Sequence, residues 1–267
     1  MSSQFICTHR GCKFTNSCKW RKIFKFCAFK RLFLGQFQCV KQAVIHTAVS
    51  TIVVSMSTDN CDIVLNELDA LANIDFATRT EKDEHRTLEI VRIGTCGGMQ
   101  EDIPLSTFLV SEKSIGWDGV LAFYEGRDEI ADLGFEDALV DFIHYPAKAA
   151  RPYVVAANPE LVNRIAGDDM MRGCTIAANG FYGPQGRVLR CDLAVKDINE
   201  RITDFRYEGQ RITNYEMEGS AIAGLSLLMG HKAMTVCCVI AQRKVEAANT
   251  DYKPRIKQLV QTVLERI

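Results

Sequence analysis

The chain has 267 residues, of which 47% are hydrophobic and 24% are charged, and its formal net charge is −1. This composition is typical of a globular protein with one large core, and one α/β domain is the simplest interpretation. We expect neither a secretory signal nor a membrane span. Lys25, Lys30 and Arg31 interrupt the apolar stretch 24–37, and the apolar run 43–56 is too short to cross a bilayer.

The charge is distributed unevenly along the chain. Residues 1–50 hold nine Lys and Arg residues, no Asp or Glu, and five of the eleven cysteines, which leaves a formal charge of −10 for residues 51–267. Composition therefore changes in two independent respects near the same place. This predicts an atypical basic, Cys-rich segment at 1–50, followed by a folded domain at 51–267.

Several interpretations of residues 1–50 remain open. Cys7, His9, Cys12 and Cys18 suggest zinc, but no pair has the two-residue spacing of a zinc ribbon or finger. A transit peptide fits the basic residues and the lack of acids but not the cysteines. A nucleic-acid-binding arm fits the charge and the interleaved aromatic residues. The fourth interpretation is a replaced or misread segment that did not evolve with the domain.

From residue 52 the sequence becomes regular. Apolar runs predict strands at 52–55, 89–95, 108–115, 174–181, 212–217 and 233–241. Helical spacing predicts helices after the N-cap candidates Thr58 and Asp59, and at 159–166, 195–205, 219–229 and 254–267. This alternation predicts a three-layer α/β/α sandwich with a central mixed sheet. The six cysteines of this part have no disulfide-like spacing, which favours a reducing, cytoplasmic setting.

Two carboxylates stand where the strand at 212–217 meets the next helix. Ligands of open α/β sheets bind at such strand ends. Glu218 could be only an acid favoured by the helix dipole. Alternatively, Glu216 and Glu218 could accept hydrogen bonds from both hydroxyls of a sugar diol, because an ionised carboxylate has about four acceptor sites. Met217 between them would offer an apolar surface to the sugar.

Three separated motifs coincide in this chain. They are RIGTCGG at 92–98, FYGPQGR at 181–187 and NYEME at 214–218. Their order, spacing and surroundings resemble the uridine phosphorylase branch of the nucleoside phosphorylase family, over about residues 52–267. The resemblance implies reversible phosphorolysis, in which uridine and phosphate give uracil and ribose 1-phosphate. It also implies a homo-oligomer built from dimers, up to a hexamer, with no cofactor, metal, nucleic acid or membrane partner.

The resemblance assigns phosphate binding to Arg92, Gly94 and Thr95, and ribose binding to Glu216, Met217 and Glu218. Arg92 offers the guanidinium fork that matches phosphate, while the Gly94 backbone and the Thr95 hydroxyl are further donors. The alternative for Arg92 is a surface charge at the end of a strand. Arg92, Arg187 and Glu218 are the predicted catalytic residues.

The resemblance assigns the base pocket to Phe181, Gln185, Arg187, Tyr215 and Arg243. A departing uracil carries negative charge on its carbonyl oxygens and N3 side, which an amide and a guanidinium stabilise. The two aromatic residues could instead be plain core, and Arg243 could be an exposed residue at a strand end. Purine-specific relatives carry an acid after the penultimate strand, whereas the segment 239–243 here reads VIAQR.

The chain also departs from the family. The Gly-Asp-Pro-x-Arg phosphate loop and a second phosphate arginine have no match in residues 1–50, and Met56-Ser57 replaces the usual Thr-Gly-Ile-Gly turn. This coincidence favours a replaced or misread segment at 1–50. The alternative function is therefore a non-catalytic, nucleoside-binding relative that lacks part of the phosphate site. A hydrolytic nucleosidase is a weaker third hypothesis, since no acid is well placed to activate water.

Overall fold

A computed structural model describes residues 4–8, 45–46, 49–50, 58–245 and 247–267, with the backbone alone before residue 60. The predicted strand at 52–55 lies outside the described residues. So do most of the segment 1–50 and three of the four residues considered for zinc, namely His9, Cys12 and Cys18. Of the fourth, Cys7, only the backbone is described. Among the helices that are described, none combines the length and apolarity that a membrane crossing needs.

Strands and helices alternate through most of the described chain. The strands are β1 (Gln4–Thr8), β2 (Ile45–His46), β3 (Val49–Ser50), β4 (Ile74–Asp75), β5 (Thr80–Glu81), β6 (Glu89–Gly98), β7 (Phe108–Gly116), β8 (Tyr153–Ala156), β9 (Met170–Ala177), β10 (Arg206–Tyr207), β11 (Gln210–Glu216), β12 (Lys232–Gln242) and β13 (Ala247–Ala248). The helices are α1 (Thr58–Asn73), α2 (Arg127–Ile130), α3 (Leu133–Ile143), α4 (Pro159–Ile165), α5 (Ile198–Asp204), α6 (Gly219–Leu228) and α7 (Lys253–Arg266). Short 3₁₀ turns occupy Val120–Phe123 and Gly183–Gln185.

The central sheet is mixed, as predicted. Its strand order is β1-β6-β11-β9-β7-β12-β13. The β6–β12, β7–β9 and β9–β11 pairs are parallel, whereas β6–β11 and β7–β12 are antiparallel. Because β12 pairs with both β6 and β7, the five strands β6, β11, β9, β7 and β12 close on themselves. The β6–β11 pairing joins Gly97 and Gly98 to Tyr215 and Asn214, which brings two of the predicted motifs together.

Helices cover both faces of the sheet, because its strands place successive side chains on opposite sides. In β6, Ile90 packs with residues of α1 and α6, whereas Val91 and Ile93 pack with residues of α4 and α7. A third apolar cluster joins α3 and α5 to β9 and β11. This is the α/β/α layering predicted from the sequence, and Arg92 falls on the α1 and α6 side by the same alternation.

Most predicted elements are confirmed with shifted ends. The strand predicted at 174–181 spans Met170–Ala177, so Phe181 lies beyond it, and the helix predicted at 195–205 is shortened to Ile198–Asp204. The last helix buries Leu259 and Val263, whereas the neighbouring Leu264 is 41% exposed. The sequence analysis missed α3 and β8. The spacing of Phe135, Leu139 and Ile143 after the N-cap Asp132 was a signal for α3.

Candidate functional site

The predicted phosphate and ribose residues meet at a buried charge cluster. Nη1 of Arg92 lies 3.0 Å from Oε2 of Glu216, and Nη2 forms an ion pair with Oε2 of Glu218. Nη1 also donates to Sγ of Cys237, at 3.2 Å. Arg92 is only 2% exposed and lies inside β6, so the alternative of a surface charge at a strand end is wrong. One guanidinium therefore serves two carboxylates.

Gly94 makes room for this guanidinium. A Cβ atom at Gly94 would lie 2.8 Å from Nη1 and 2.9 Å from Nη2 of Arg92, which is closer than real Cβ contacts come. Because Gly94 has no side chain, the Arg92 guanidinium can lie directly over the backbone of its own strand at that residue. Thr95, the other predicted phosphate residue, is half-buried next to it. Gly94 thus contacts Arg92 directly, whereas the alternation along β6 places the Thr95 side chain on the opposite face of the strand.

Glu216 anchors the start of α6. Its carboxylate accepts hydrogen bonds from the backbone N–H groups of Glu218 and Gly219, each at 2.9 Å. These are among the amides at a helix start that have no partner within the helix. Burial raises the pKa of Glu216, and the positive charge of Arg92 opposes this rise. Burial alone would lower the pKa of Arg92, but Glu216 and Glu218 hold it well above its ordinary value.

Glu218 occupies the N-cap position of α6, where its side chain makes no capping hydrogen bond. Its side chain points at Arg92 instead and remains 8% exposed, whereas that of Glu216 is fully buried. Met217 between them is half-buried. Of the two carboxylates, Glu218 is therefore the one placed to reach a ligand, and Glu216 holds the backbone that carries it.

The predicted base residues form a second cluster around Gln185. Its amide oxygen Oε1 accepts hydrogen bonds from Arg187 Nη1 at 2.5 Å and from Arg243 Nη2 at 2.9 Å. Arg243 Nη1 also donates to the backbone carbonyl of Gln185, at 2.7 Å. Gln185 is buried and Arg243 is half-buried, so the alternative of an exposed Arg243 is wrong.

Each arginine of this cluster stacks on one predicted aromatic residue. The guanidinium carbon of Arg187 lies 3.8 Å from the ring centroid of Phe181, and that of Arg243 lies 4.7 Å from the centroid of Tyr215. Tyr215 is 1% exposed and also contacts Trp117, so it belongs to the core as well as to this cluster. Phe181 is 38% exposed, and the alternative of plain core is wrong for it.

The cluster is positively charged. Within the described part of the chain, neither Arg187 nor Arg243 forms an ion pair with a carboxylate. Burial lowers the pKa of Arg187. Burial and the charge of Arg187 lower the pKa of Arg243 to about 10. Two neighbouring cations without an acid favour a ligand that brings negative charge or carbonyl oxygens.

Strand β11 links the two clusters, because Tyr215 of the base cluster directly precedes Glu216 of the charge cluster. The two clusters thus meet β11 at consecutive residues of its carboxyl end. An arrangement of this kind can hold a polar ligand whose one end offers hydroxyl groups and whose other end offers carbonyl oxygens.

The sequence analysis missed a hydrogen-bonded group behind α6. Tyr153 donates to both carboxylate oxygens of Asp118, at 2.9 and 3.0 Å, and Ser220 donates to Oδ2 of Asp118 at 3.0 Å. Ser220 is the second residue of α6 and is fully buried. The only sequence signal was an acid two residues beyond the end of β7. Asp118 and Tyr153 hold the helix start that carries Glu218.

Comparison with known proteins identifies the family of this chain. Residues 27–266 match the Phosphorylase superfamily, and the chain belongs to that family. The match starts inside the basic amino-terminal stretch, so the boundary expected at residue 50 stays a prediction.

Particular relatives are similar over different lengths. Uridine phosphorylase A of Schistosoma mansoni is 41% identical over 73 residues, which are 27% of this chain and 24% of that protein. The alignment thus spans about a quarter of the relative's length. Among solved structures, a Trypanosoma brucei nucleoside phosphorylase with uridine phosphorylase activity has a TM-score of 0.68 at 23% identity, covering 85% of this chain and 86% of that one. A uridine phosphorylase of the oomycete Phytophthora capsici has a TM-score of 0.53 at 20% identity, covering 83% and 76%. At these identities the structures support the fold.

Proposed function

We propose that the protein catalyses the reversible phosphorolysis of uridine to uracil and ribose 1-phosphate. The observation that carries this proposal is the hydrogen bonding of Arg187 and Arg243 to the buried amide of Gln185. A pyrimidine with two carbonyl oxygens suits a pocket lined by two guanidinium groups and one amide. Negative charge that develops on the leaving uracil would be stabilised by cations already in position.

Glu218 would hold the ribose in this proposal. Its carboxylate is placed at the start of α6 by the Glu216 hydrogen bonds to the helix amides and keeps some exposure. Met217 would contact the apolar face of the sugar. Phe181, on the exposed side of the base cluster, would cover the base.

The charges around Arg92 disfavour phosphate. Arg92 is buried, and within the described residues it faces the carboxylates of Glu216 and Glu218. A phosphate dianion brought to Arg92 would therefore approach two like charges as well as one opposite charge. Thr95 and the Gly94 backbone are neutral donors and do not change this balance.

This charge balance favours a second candidate function. A chain that keeps the base and ribose contacts but lacks enough positive charge for phosphate would bind nucleosides without turning them over. The charge cluster supports this non-catalytic relative, whereas the Gln185 cluster is common to both candidates. The two candidates differ in phosphate binding alone.

An assay of the purified full-length chain with uridine separates the candidates. Formation of uracil and ribose 1-phosphate that depends on added phosphate supports the enzyme. Calorimetric binding of uridine or uracil without turnover supports the nucleoside-binding relative. If the chain neither binds uridine nor turns it over, while its circular dichroism shows a folded protein, both candidates are wrong.

Inosine serves as the comparison substrate in the same assay. Since no acid follows the β12 strand in the segment 239–243, a purine base would find no partner for its N7. Equal turnover of inosine and uridine would contradict the pyrimidine assignment. For any variant of Arg187, the Arg190→Ala variant is the matched control for loss of charge, because Arg190 is an exposed arginine in the same loop.

Assembly and location are further parts of the proposal. We propose a homo-oligomer built from dimers, up to a hexamer, in the cytoplasm, on the basis of family membership and of the free cysteines in the part of the chain after residue 60. Phe123, which is 89% exposed, is one apolar side chain that a subunit contact would cover. Light scattering after gel filtration measures the assembly, and a monomer at working concentration would contradict it.

A further inference from the structure

Three side chains of types that can bind a metal converge near the end of α6, whereas Glu218 stands at its start. Asp69 lies in the last turn of α1, His85 in the loop before β6, and His231 between α6 and β12. One ligand atom from each residue lies within 4.8 Å of the other two. Asp69 is half-buried, His85 is exposed and His231 is buried, so the group opens to solvent on one side.

The contacts inside this group differ from ordinary hydrogen bonding. Nε2 of His231 lies 3.1 Å from Oδ1 of Asp69, yet this buried nitrogen has no hydrogen bond of normal geometry. Buried polar atoms usually have such a partner. A nitrogen and an oxygen that lie side by side at this distance are arranged as neighbouring ligands of one ion are, since each stands about 2.0–2.2 Å from zinc.

The surroundings favour a cation. The group lies where α1 and α6 end, and the carboxyl end of a helix carries a partial negative charge. The backbone carbonyl of Met229, at the end of α6, is 3.0 Å from Nε2 of His85. Asn73 donates to Oδ1 of Asp69 at 2.7 Å and so fixes the carboxylate, as partners outside the ligand set do at metal sites.

We propose that Asp69, His85 and His231 bind one divalent transition-metal ion, such as Zn²⁺, through Oδ1, Nε2 and Nε2. Imidazole nitrogens combined with one carboxylate suit zinc, nickel or iron better than the hard ions magnesium and calcium. The Met229 carbonyl or water would supply a further position. The site is separate from the nucleoside pocket and does not depend on the proposed function.

Present contacts of both histidine rings must change when an ion binds. Nε2 of His85 lies 3.0 Å from the Met229 carbonyl and 3.3 Å from the Asn73 amide nitrogen, and an ion at this atom replaces both contacts. The backbone N–H of Leu88 donates to Nδ1 of His231 at 3.3 Å, so neutral His231 carries its proton on Nε2. Binding of an ion at Nε2 requires this proton to move to Nδ1, which then cannot accept from Leu88, so the Leu88 contact must open. Because an imidazole that carries both protons cannot bind a metal ion, we expect metal binding to weaken as the pH falls.

Metal binding would join three segments that are distant in sequence. Asp69 and His231 are 162 residues apart in the sequence. An ion that binds the folded chain but not the unfolded chain stabilises the folded state by mass action. Thermal unfolding of the full-length chain with and without Zn²⁺ measures this effect, and calorimetric titration measures the number of ions bound. We expect the wild-type chain to gain thermal stability and to bind one ion at this site.

Variants distinguish metal binding at this site from metal binding by cysteines elsewhere in the chain. His85→Ala and Asp69→Asn should bind one ion fewer or bind it at least 10- to 100-fold more weakly, the loss typical of changes even outside the ligand set. His144→Asn is the control, because His144 is an exposed histidine in a left-handed backbone conformation that asparagine tolerates. Unchanged stoichiometry and thermal shift in the folded His85→Ala variant would overturn the proposal.

A second experiment needs only the wild-type chain. Diethylpyrocarbonate modifies accessible imidazoles, and mass spectrometry locates the modified residues. We expect Zn²⁺ to protect His85 from modification and to leave His144 unprotected. Equal modification of His85 with and without Zn²⁺ would contradict the site, whether or not any variant folds.

Discussion

Arg187 and Arg243 donate hydrogen bonds to the same atom, Oε1 of Gln185, at 2.5 and 2.9 Å. Two cations that share one neutral acceptor repel each other, and the lowered pKa of Arg243 reflects burial first and the charge of Arg187 second. Both guanidinium groups are stacked on aromatic rings, which holds them in place without an acid. The arrangement is therefore prepared for a ligand that carries negative charge.

Arg187→Ala should lower kcat/KM for uridine by about 100- to 1,000-fold, the usual loss when one prepared donor to developing charge is removed. The leaving uracil would then lack one of its two cations. Steady-state kinetics of uracil release measure the change, with Arg190→Ala as the control. A loss of the same size in Arg190→Ala would mean that the effect is general charge and not a specific contact.

Glu218→Ala should reduce transition-state binding by several kcal/mol, since charge-assisted hydrogen bonds contribute roughly 1.5–3 kcal/mol each. The fold should persist, because Glu216 still pairs with Arg92. Kinetics or nucleoside calorimetry measures the first effect, and circular dichroism measures the second. If the variant loses its folded spectrum, Glu218 acts as a structural residue at the start of α6 instead of as a ribose ligand.

In contrast to Glu218→Ala, which should mainly weaken ligand binding, Glu216→Ala should strongly reduce the stability of the fold. The change leaves two buried backbone N–H groups without an acceptor, each at a cost of about 1–3 kcal/mol. Denaturant unfolding measures the change in the free energy of unfolding. A variant as stable as the wild type would show that water or another group satisfies these amides.

Gly94→Ala should displace the Arg92 guanidinium, because the new Cβ would lie 2.8 Å from Nη1. We expect a loss of about 1–3 kcal/mol of stability, typical of overpacking, together with weaker binding at the site. Gly183→Ala is the control for stability, since a Cβ there would meet nothing within 4 Å. Equal unfolding midpoints for the two variants would contradict the packing of Arg92 against Gly94.

Asp132 provides a test of pH dependence. Burial alone would raise its pKa, but hydrogen bonds from Lys113 and from the Phe135 amide outweigh burial and hold the pKa below its ordinary value of 3.8. A carboxylate with a lowered pKa contributes stability that is complete above the pKa of the unfolded state and is lost as the pH falls through the folded pKa. Asp132→Asn should therefore be less stable than the wild type near neutral pH, and the difference should vanish in strong acid.

Denaturant unfolding at several pH values measures this difference for Asp132→Asn. Asp132→Ala also removes the N-cap of α3 and should cost about 1 kcal/mol more at every pH. Asp137→Asn, which breaks the exposed pair with Arg151, should cost almost nothing. A pH-independent loss in Asp132→Asn would mean that the charge of Asp132 contributes no stability.

The sequence predicted which residues meet but not how they are paired. Periodicity placed β6, β11, β12 and α6, and the resemblance brought the two clusters to one strand end. Arg92 could not be recognised as a buried residue paired with two acids, because its partners lie more than 120 residues away. Asp118 and Tyr153 were missed for the same reason. Asp69, His85 and His231 have no motif spacing, and only the meeting of two helix ends makes them neighbours.

The pairing of Arg92 with Glu218 spans 126 residues of sequence. Neither charge can be buried favourably before both strands and the start of α6 are in place, because a lone buried ion is very costly. Such distant contacts form slowly, since the chain between them must be ordered first. We therefore expect Arg92 to stay hydrated until both strands and the start of α6 have come together. A chain cut between β9 and β11 could then enclose this arginine only while the two pieces stayed associated, because both of its carboxylate partners lie beyond the cut.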